Sequence, residues 1–426
     1  MKQTIFRTCT LCEATCGLAI DVDDGNIVNV RGDEDDPFSR GYICAKGVAI
    51  GAVHADPDRL RQPLRRNERG DFEPVGWDEA FAAIATRLRA IQAEHGKDAV
   101  ALYVGNPIIH NHGALLLRQS LMNALGSRNV YSASSQDTAP RFVTNYYLYG
   151  SALAGPVPDI DRSDYLLCIG ANPYVSNGSA WTAPDLKGRL RALRQRGGKL
   201  VVVDPRRSET AREADEHIAI RPGGDVALLF AMAATLVDEG LVDRERVAAQ
   251  TRGWDEVESR LRRVDRDAAA AATGIERGTI ERLARDFAHA KQGVAYSRIG
   301  VCNNRFGTLA TYATDLLNIL TGRLGRVGGA MFPRPAIDLV PLARVAEMEG
   351  HGRWRSRVRG LPETLGDLPS GCLAEEIETP GPGQVRALIT FAGNPVLSVP
   401  NTKRLRSALG QLELMVSIDL YVNETT

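Results

Sequence analysis

The sequence has little of three things: long apolar runs, lysine and net charge. Its longest apolar run, Val226 to Val237, is broken by Thr235 and is too short to cross a bilayer, so no membrane span is expected. The 52 basic residues balance 52 acidic ones, which argues against a nucleic-acid binder driven by counterion release. Only seven of the basic residues are lysines, and the arginines read as scattered along the chain without forming a stripe.

The N-terminus also lacks features of a secretory leader. No charged region followed by an apolar stretch is visible, and no twin-arginine segment precedes Cys9. We therefore predict a cytoplasmic, reducing compartment, where clustered cysteines are more often metal ligands than disulfides. A chain of 426 residues, 44% apolar and 24% charged, predicts a globular protein of two or three domains.

Four of the seven cysteines lie in the first 44 residues, in the pattern C-x2-C-x3-C-x27-C formed by Cys9, Cys12, Cys16 and Cys44. Four thiolates suit either a [4Fe-4S] cluster or a zinc site. Zinc ribbons usually carry two CxxC knuckles, and only one is present, so the spacing favours the cluster. Lys46, two residues after Cys44, is either a surface charge or a group that stays close to the cluster.

The rest of the chain alternates strands and helices, which predicts an α/β fold with parallel sheets covered by helices. The helix Trp77–His95 places Phe81, Ile84, Leu88 and Ile91 on one apolar face. The predicted strands are Ala99 to Gly105, Tyr165 to Gly170, Lys199 to Asp204, His217 to Arg221, Val294 to Gly300, Val385 to Gly393 and Met415 to Asp419.

Three of these strands run into turns typical of ligand sites. The turns are Gly170-Ala171-Asn172-Pro173, Asp204-Pro205-Arg206 and Arg221-Pro222-Gly223-Gly224-Asp225. In parallel sheets, ligands bind at the carboxyl ends of the strands, and helix N-termini attract phosphate. Together the turns predict a nucleotide-like ligand. A similar turn, Gly393-Asn394-Pro395, follows a later strand and indicates two related nucleotide-binding halves.

The combination of motifs resembles the molybdopterin guanine dinucleotide oxidoreductases, the group of dimethyl sulfoxide reductase, formate dehydrogenase and nitrate reductase. The resemblance extends over the whole chain and keeps the order of the motifs. They are the four cysteines with Lys46, Gly76-Trp77-Asp78-Glu79-Ala80, the turns at 170–173, 204–206 and 221–225, Leu320-Thr321-Gly322 with Gly325 and Gly328-Gly329, and Gly393-Asn394-Pro395.

The resemblance implies an N-terminal iron–sulfur domain followed by two Rossmann-like nucleotide-binding domains. The expected boundaries are 1–58 for the [4Fe-4S] domain, 59–135 plus 331–426 for a discontinuous α/β domain, and 136–330 for a molybdopterin guanine dinucleotide domain. The implied cofactors are the cluster and a bis-(molybdopterin guanine dinucleotide) with molybdenum or tungsten, with Lys46 on the electron path between them. The implied dinucleotide contacts are Gly170, Asn172, Pro173, Asp204, Arg206, Arg221, Gly223, Asp225, Gly393 and Asn394.

The segment before Tyr149-Gly150 resembles the metal-ligand segment of the family. Its spacing puts Asp137 where formate dehydrogenases carry Cys or selenocysteine, and where respiratory nitrate reductases use an Asp. A carboxylate is a hard ligand that suits an oxidised molybdenum or tungsten centre. Ser134, Ser135 or no protein ligand at all are the open alternatives.

Relatives continue beyond Thr426 into a barrel-like domain, so the resemblance implies the N-terminal portion of an enzyme, with a separate C-terminal polypeptide as one explanation. The expected function is an oxidoreductase that acts on a small molecule and exchanges electrons with a partner protein. The alternatives are a non-redox hydratase of the same fold, and an electron-transfer subunit in which only the cluster functions.

Overall fold

The computed structural model describes residues 1–345 and 349–426. The chain divides into two compact units. The first unit contains residues 1–135 and 351–426, and the second contains residues 136–350. The first unit is therefore built from two separated stretches of sequence. The finer division at 58 and 330 remains a prediction.

The described strands are, in chain order, β1 Gln3–Thr8, β2 Gly17–Asp23, β3 Asn26–Gly32, β4 Leu64–Arg66, β5 Phe72–Pro74, β6 Val100–Val104, β7 Val130–Ser132, β8 Val157–Pro158, β9 Tyr165–Ile169, β10 Lys199–Val203, β11 Glu216–Ile218, β12 Gly293–Ser297, β13 Ala330–Met331, β14 His351–Arg355, β15 Pro362–Thr364, β16 Ala387–Phe391 and β17 Leu414–Ile418. Each predicted strand overlaps one of them. β7 and the short antiparallel pairs were not predicted.

The described α-helices are Ala45–Val48, Ile50–Ala55, Trp77–His95, Pro107–His110, His112–Leu125, Ala139–Tyr149, Pro173–Ser176, Leu186–Gln195, Glu209–Arg212, Asp225–Asp238, Arg244–Gln250, Trp254–Leu261, Arg266–Thr273, Arg277–His289, Ile299–Cys302, Gly307–Leu320, Leu339–Val345, Leu373–Glu378, Pro395–Ser398 and Thr402–Leu409. Across residues 1–345 and 349–426, none of them is both long and apolar enough to cross a membrane.

The first unit begins with an antiparallel sheet, β1-β2-β3. Its main sheet is parallel, with the order β17-β16-β6-β7. β6 is buried along its whole length because the sheet is covered on both faces.

The second unit is built around the parallel sheet β11-β10-β9-β12. Alternate residues of β9 face opposite sides: Leu167 packs with the long apolar helix Asp225–Asp238, and Leu166 packs with the helix Leu186–Gln195. Both faces of the sheet are therefore buried, which explains why its strands read as continuous apolar runs. The predicted α/β class with parallel sheets is confirmed.

The helix Trp77–His95 has the predicted bounds, but its apolar face is only partly covered. Of the four residues assigned to that face, Ile91 is buried, whereas Phe81 is 60% exposed. Phe81 instead contacts the ring of Trp77, with centroids 5.7 Å apart. Periodicity showed which side of the helix is apolar but not what covers it.

Candidate cluster and cofactor sites

The four N-terminal cysteines come together at one end of the first antiparallel sheet. Cys9 follows β1 and Cys16 precedes β2, and the Cys9 amide donates to the Cys16 carbonyl at 2.8 Å. Cys12 lies in the turn between them, and Cys44 caps the helix Ala45–Val48. The loop 9–16 thus holds three thiols beside the helix end that supplies the fourth.

The surroundings of these thiols are apolar and crowded with sulfur. Burial and, after it, the neighbouring Cys9, Cys12 and Cys44 raise the pKa of Cys16 to about 12. Burial likewise raises the pKa of Cys9, with Cys12 and Cys44 adding to the effect. Thiolates gathered in such surroundings require a strong positive charge among them, which a metal cluster supplies.

A zinc ion and a cluster differ in size. One zinc ion would hold its four sulfurs at about 2.3 Å from a common centre, whereas a cubane spreads them around a larger body. In residues 1–345 and 349–426, no group of three or more His, Cys, Asp or Glu side chains that could hold a single metal ion is found.

Lys46 is exposed on the helix Ala45–Val48. The positive charge of its ammonium group lowers the pKa of the Cys9 thiol, although burial raises that pKa by more. Glycine at position 47 lets the helix pack closely on its surroundings, because a Cβ there would lie 2.8 Å from Ile43 Cγ1 and 3.9 Å from Cys9 Sγ. The helix thus brings one positive charge to the group of thiols.

The carboxyl ends of β9, β10 and β11 carry the predicted dinucleotide turns of the second unit. Asp204 follows β10, and its carboxylate accepts from the Arg206 amide at 2.8 Å. Asp225 begins the apolar helix and is only 6% exposed. Burial raises the pKa of Asp225, and the charge of Asp204 adds to the effect. Two carboxylates therefore interact at this edge.

The side chains of two predicted basic contacts are engaged within the turns. Arg221 donates to the Ala271 carbonyl at 2.5 Å and remains exposed. Arg206 forms an ion pair with Glu209 at 3.2 Å. Both guanidinium groups are solvent-accessible, so they remain available to a charged ligand.

Gly170 and Gly223 have different reasons to be glycine. Both have positive φ, +56° and +84°. A Cβ on Gly170 would lie 2.8 Å from the Val301 amide nitrogen, so packing within the fold requires glycine there. A Cβ on Gly223 would meet nothing within 4 Å, so its open backbone can be approached from outside.

Asn172 joins the end of β9 to the helix Glu209–Arg212. Its Oδ1 accepts from Thr210 Oγ1 at 2.8 Å, and its Nδ2 donates to Glu209 Oε2 at 2.7 Å. Thr210 Oγ1 also accepts from the Tyr174 amide at 3.1 Å, just beyond Pro173, the first residue of a short helix. The Asn172 amide thus braces the turn.

The first unit contains the same arrangement. Asn394 Oδ1 accepts from Thr425 Oγ1 at 2.6 Å, and its Nδ2 donates to Glu424 Oε2 at 2.6 Å. Thr425 Oγ1 accepts from the Val396 amide at 3.1 Å. The preceding Gly393 is needed for packing, since a Cβ there would lie 2.8 Å from the Tyr103 ring. This repeated brace supports the interpretation of two related halves.

Asp137 lies just before the helix Ala139–Tyr149, and its carboxylate is held by a residue that the sequence analysis missed. Arg298, only 6% exposed, donates to Asp137 Oδ1 at 3.2 Å, Thr138 Oγ1 at 2.8 Å and Ser179 Oγ at 2.5 Å. Its Nε is buried without a hydrogen-bond partner among the described residues. The Asp137 side chain is 41% exposed, so it remains accessible to a ligand.

The Asp137 segment is anchored by the buried carboxylate of Asp315. Arg141 forms an ion pair with it at 2.7 Å, and the Tyr149 hydroxyl donates to it at 2.8 Å. Burial, followed by the Asp315 charge, raises the pKa of Tyr149. The helix that follows Asp137 is therefore fixed within the second unit.

Ser134 and Ser135, the alternative metal ligands, form hydrogen bonds within the first unit. Ser135 Oγ lies 2.9 Å from Ser370 Oγ and accepts from the Ser370 amide at 3.0 Å. Ser134 Oγ lies 3.5 Å from Asp367 Oδ2. Both hydroxyls therefore take part in the fold, whereas the Asp137 carboxylate is half-exposed.

Comparison with known proteins gives two matches to family models. Residues 59–426 match the model described as molybdopterin oxidoreductase, and residues 4–54 match its Fe4S4 domain. The chain belongs to the molybdopterin oxidoreductase family. The match confirms the predicted family, a [4Fe-4S] cluster and a molybdopterin cofactor with molybdenum or tungsten. The orphaned Arg298 Nε and the open turn at Gly223 are features that fit such a cofactor.

Relatives within the family have different reactions. The chain is 27% identical to the assimilatory nitrate reductase catalytic subunit of Bacillus subtilis, over 92% of this chain and 56% of the relative. It is also 27% identical to formate dehydrogenase H of Escherichia coli, over 100% of this chain and 61% of the relative. The chain thus spans less than two thirds of either protein.

A solved structure shares the fold. Acetylene hydratase from Pelobacter acetylenicus matches with a TM-score of 0.82 and 24% identity, over 99% of this chain and 61% of that one. At this identity the likeness concerns the fold alone.

Proposed function

We propose that this chain carries the cluster and the metal–pterin site of an oxidoreductase that resembles formate dehydrogenase or nitrate reductase. The observation that carries the proposal is the gathering of Cys9, Cys12, Cys16 and Cys44 with the charge of Lys46 beside them. The bound metal–pterin would supply two-electron redox chemistry on a small-molecule substrate. An electron-transfer protein would be the partner at the cluster.

The residues of the chain have distinct roles in this proposal. The four cysteines hold the cluster, and the Lys46 ammonium stabilises negative charge beside it. At the turns of the second unit, the open backbone at Gly223 and the guanidinium groups of Arg206 and Arg221 bind phosphate oxygens. The carboxylates of Asp204 and Asp225 accept hydrogen bonds from a purine or ribose.

The Asp137 carboxylate would contact the metal, in keeping with its hard-oxygen character. Arg298 donates to one carboxylate oxygen, and the Asp137 side chain is 41% exposed, so a ligand can reach the group. In a metal-loaded protein, Asp137→Ala should alter the molybdenum paramagnetic signal while the pterin stays bound. A signal changed by Ser135→Ala but not by Asp137→Ala would contradict this assignment.

Metal analysis of anaerobically purified protein tests the core of the proposal. We expect roughly four iron atoms per chain, together with molybdenum or tungsten. Cys12→Ser and Cys44→Ser should each lose most of the iron. Cys168→Ala is the matched control, since Cys168 is a buried core thiol of the second unit and should keep it. Zinc without iron would refute the cluster.

Dye-linked turnover then separates the function classes. An oxidoreductase transfers electrons between a dye and its substrate. Hydration of a substrate without electron transfer would favour the hydratase. Iron without molybdenum or tungsten, even after coexpression with the cofactor-insertion machinery, would favour an electron-transfer subunit.

A further inference from the structure

A cavity of about 550 Å³ lies in the first unit, at the end of the sheet opposite the turns described above. Asp98 and Arg128 line it. Asp98 lies just before β6, and Arg128 lies just before β7. The candidate cofactor turns, such as Gly393, instead follow the carboxyl ends of the strands. The cavity therefore cannot be part of the dinucleotide edge of this sheet.

Arginines dominate the lining. The hairpin β14–β15 and its flank contribute Arg353, Arg355 and Arg357, and Arg128 comes from the loop before β7. In the sequence, Arg353, Arg355 and Arg357 stand at alternate positions. Arg353 and Arg355 lie in β14, and Arg357 lies in the turn that follows it.

Two of the lining arginines are neutralised within the fold. Arg353 forms an ion pair with Glu363 at 2.7 Å, and Arg357 forms one with Glu376 at 3.1 Å. Both glutamates are fully buried. These pairs hold the hairpin in place and leave little free charge.

The other two arginines have no carboxylate partner in residues 1–345 and 349–426. Arg355 is exposed and donates to the Gly360 carbonyl at 2.9 Å. Asp98, the acidic group of the lining, accepts from the backbone amide of Arg128 at 2.8 Å. Two uncommitted guanidinium charges against one carboxylate leave the cavity net positive.

Trp354 provides an independent reason to expect a ligand here. Its ring lies 4.7 Å below the Arg353 guanidinium carbon, and it lines the same cavity. Its Nε1 is buried and has no hydrogen-bond partner among the described residues. A buried donor without an acceptor costs about 1–3 kcal/mol. A small shift of the indole that brings Nε1 to a ligand oxygen in the cavity would therefore be favoured.

We propose that this cavity binds a small organic anion through a phosphate or carboxylate group. Arg128 and Arg355 hold the anionic oxygens, and Trp354 Nε1 donates to one oxygen of the ligand after a small shift of the indole. The volume lies within the range of small-molecule pockets, about 300–1,000 Å³. Binding would stabilise the hairpin β14–β15, because the ligand bridges it to the loop before β7.

Calorimetry on the purified full chain tests the proposal, with inorganic phosphate and citrate as the two probes and sodium chloride at matched ionic strength as the control. We expect saturable binding of at least one probe, and the probe that binds identifies phosphate or carboxylate as the favoured group. The double variant Arg128→Ala/Arg355→Ala should weaken that binding at least tenfold. Arg252→Ala, which removes an exposed arginine of the second unit, should leave it unchanged.

A second variant keeps the test decisive if the double variant fails to fold. Trp354→Phe retains the ring but lacks the N–H, so it should bind the same probe a few-fold more weakly. It should also remove most of the ligand-induced change in tryptophan fluorescence. Absence of saturable binding to both probes would overturn the proposal, as would wild-type affinity in a folded double variant or in Trp354→Phe.

Discussion

Arg298→Met removes a buried guanidinium that joins three side chains next to the candidate metal ligand. Methionine has a similar length and remains apolar, so it fills the space without replacing the hydrogen bonds. The variant would release Asp137, Thr138 and Ser179 at once. We expect both a loss of stability and a change at the metal.

The magnitude can be worked out from the contacts. The bonds to the two hydroxyls contribute roughly 1 kcal/mol each. The ion pair adds about 0–1 kcal/mol, because the Asp137 side chain is 41% exposed and is partly hydrated. The substitution also removes the cost of burying a guanidinium whose Nε has no partner among the described residues, and this gain offsets part of the loss. A net loss of about 1–3 kcal/mol in the free energy of unfolding follows.

The assay combines urea denaturation with paramagnetic resonance of the metal-loaded protein. Arg323→Met is the matched control, since Arg323 is also 6% exposed and also has a buried, unpartnered Nε among the described residues. Arg323 donates to main-chain carbonyls, among them that of Ala288 at 3.2 Å. The control should lose comparable stability, yet its molybdenum signal should match that of the wild type.

Three results would refute this reasoning. Wild-type stability in Arg298→Met would mean that the three contacts contribute nothing. An unchanged molybdenum signal in the destabilised variant would leave Arg298 with a structural role only. An equal change of signal in Arg323→Met would show that the metal responds to general loosening rather than to release of Asp137.

Lys46→Met should keep the wild-type iron content but slow electron transfer to the natural partner, because only the charge beside Cys9 is lost; equal stopped-flow rates would make Lys46 a surface charge. Burial raises the pKa of Asp225 above its usual value of 3.8, so the native state holds the carboxyl proton more tightly than the unfolded state does. The free energy of unfolding therefore falls as the pH rises from 3.8 through the native pKa of Asp225. In cofactor-free protein, Asp225→Asn should therefore be more stable than the wild type at neutral pH and equal to it below pH 3.8, and urea denaturation that shows no such difference would contradict this. Gly223→Ala should cost roughly 1 kcal/mol for its positive φ, and Gly170→Ala should cost more because of the contact with Val301; similar losses would show that this contact relaxes freely.

The parallel strands could be predicted because both of their faces are buried, which leaves runs such as Tyr165 to Ile169 uniformly apolar. The predicted strand Val294 to Gly300 was too long. It ends at Ser297, and a short helix begins at Ile299. Arg298 is therefore the first residue beyond the sheet, although the predicted strand includes it.

The candidate site was accessible to sequence reasoning where its residues are close along the chain, as in the cysteine loop. The pairing of Asp137 with Arg298 spans 161 positions and has no local signal. The side chains of Asn172 and Asn394 were predicted as ligand contacts, and that remains a prediction. Their amides also brace the turns, a role that depends on threonines 38 and 31 residues further along the chain.

The discontinuous first unit has a consequence for the order of folding. Its main sheet pairs β6 with β16, and β16 with β17. β6, which ends at Val104, can therefore pair with β16 only after Phe391 has been synthesised, and β17 joins the sheet only after Ile418. The second unit is continuous in sequence and is complete by Gly350. It can therefore fold on the ribosome while β6, an apolar strand, is still unpaired on one side. Until β16 is synthesised, β6 has an unpaired apolar edge, and such edges favour aggregation.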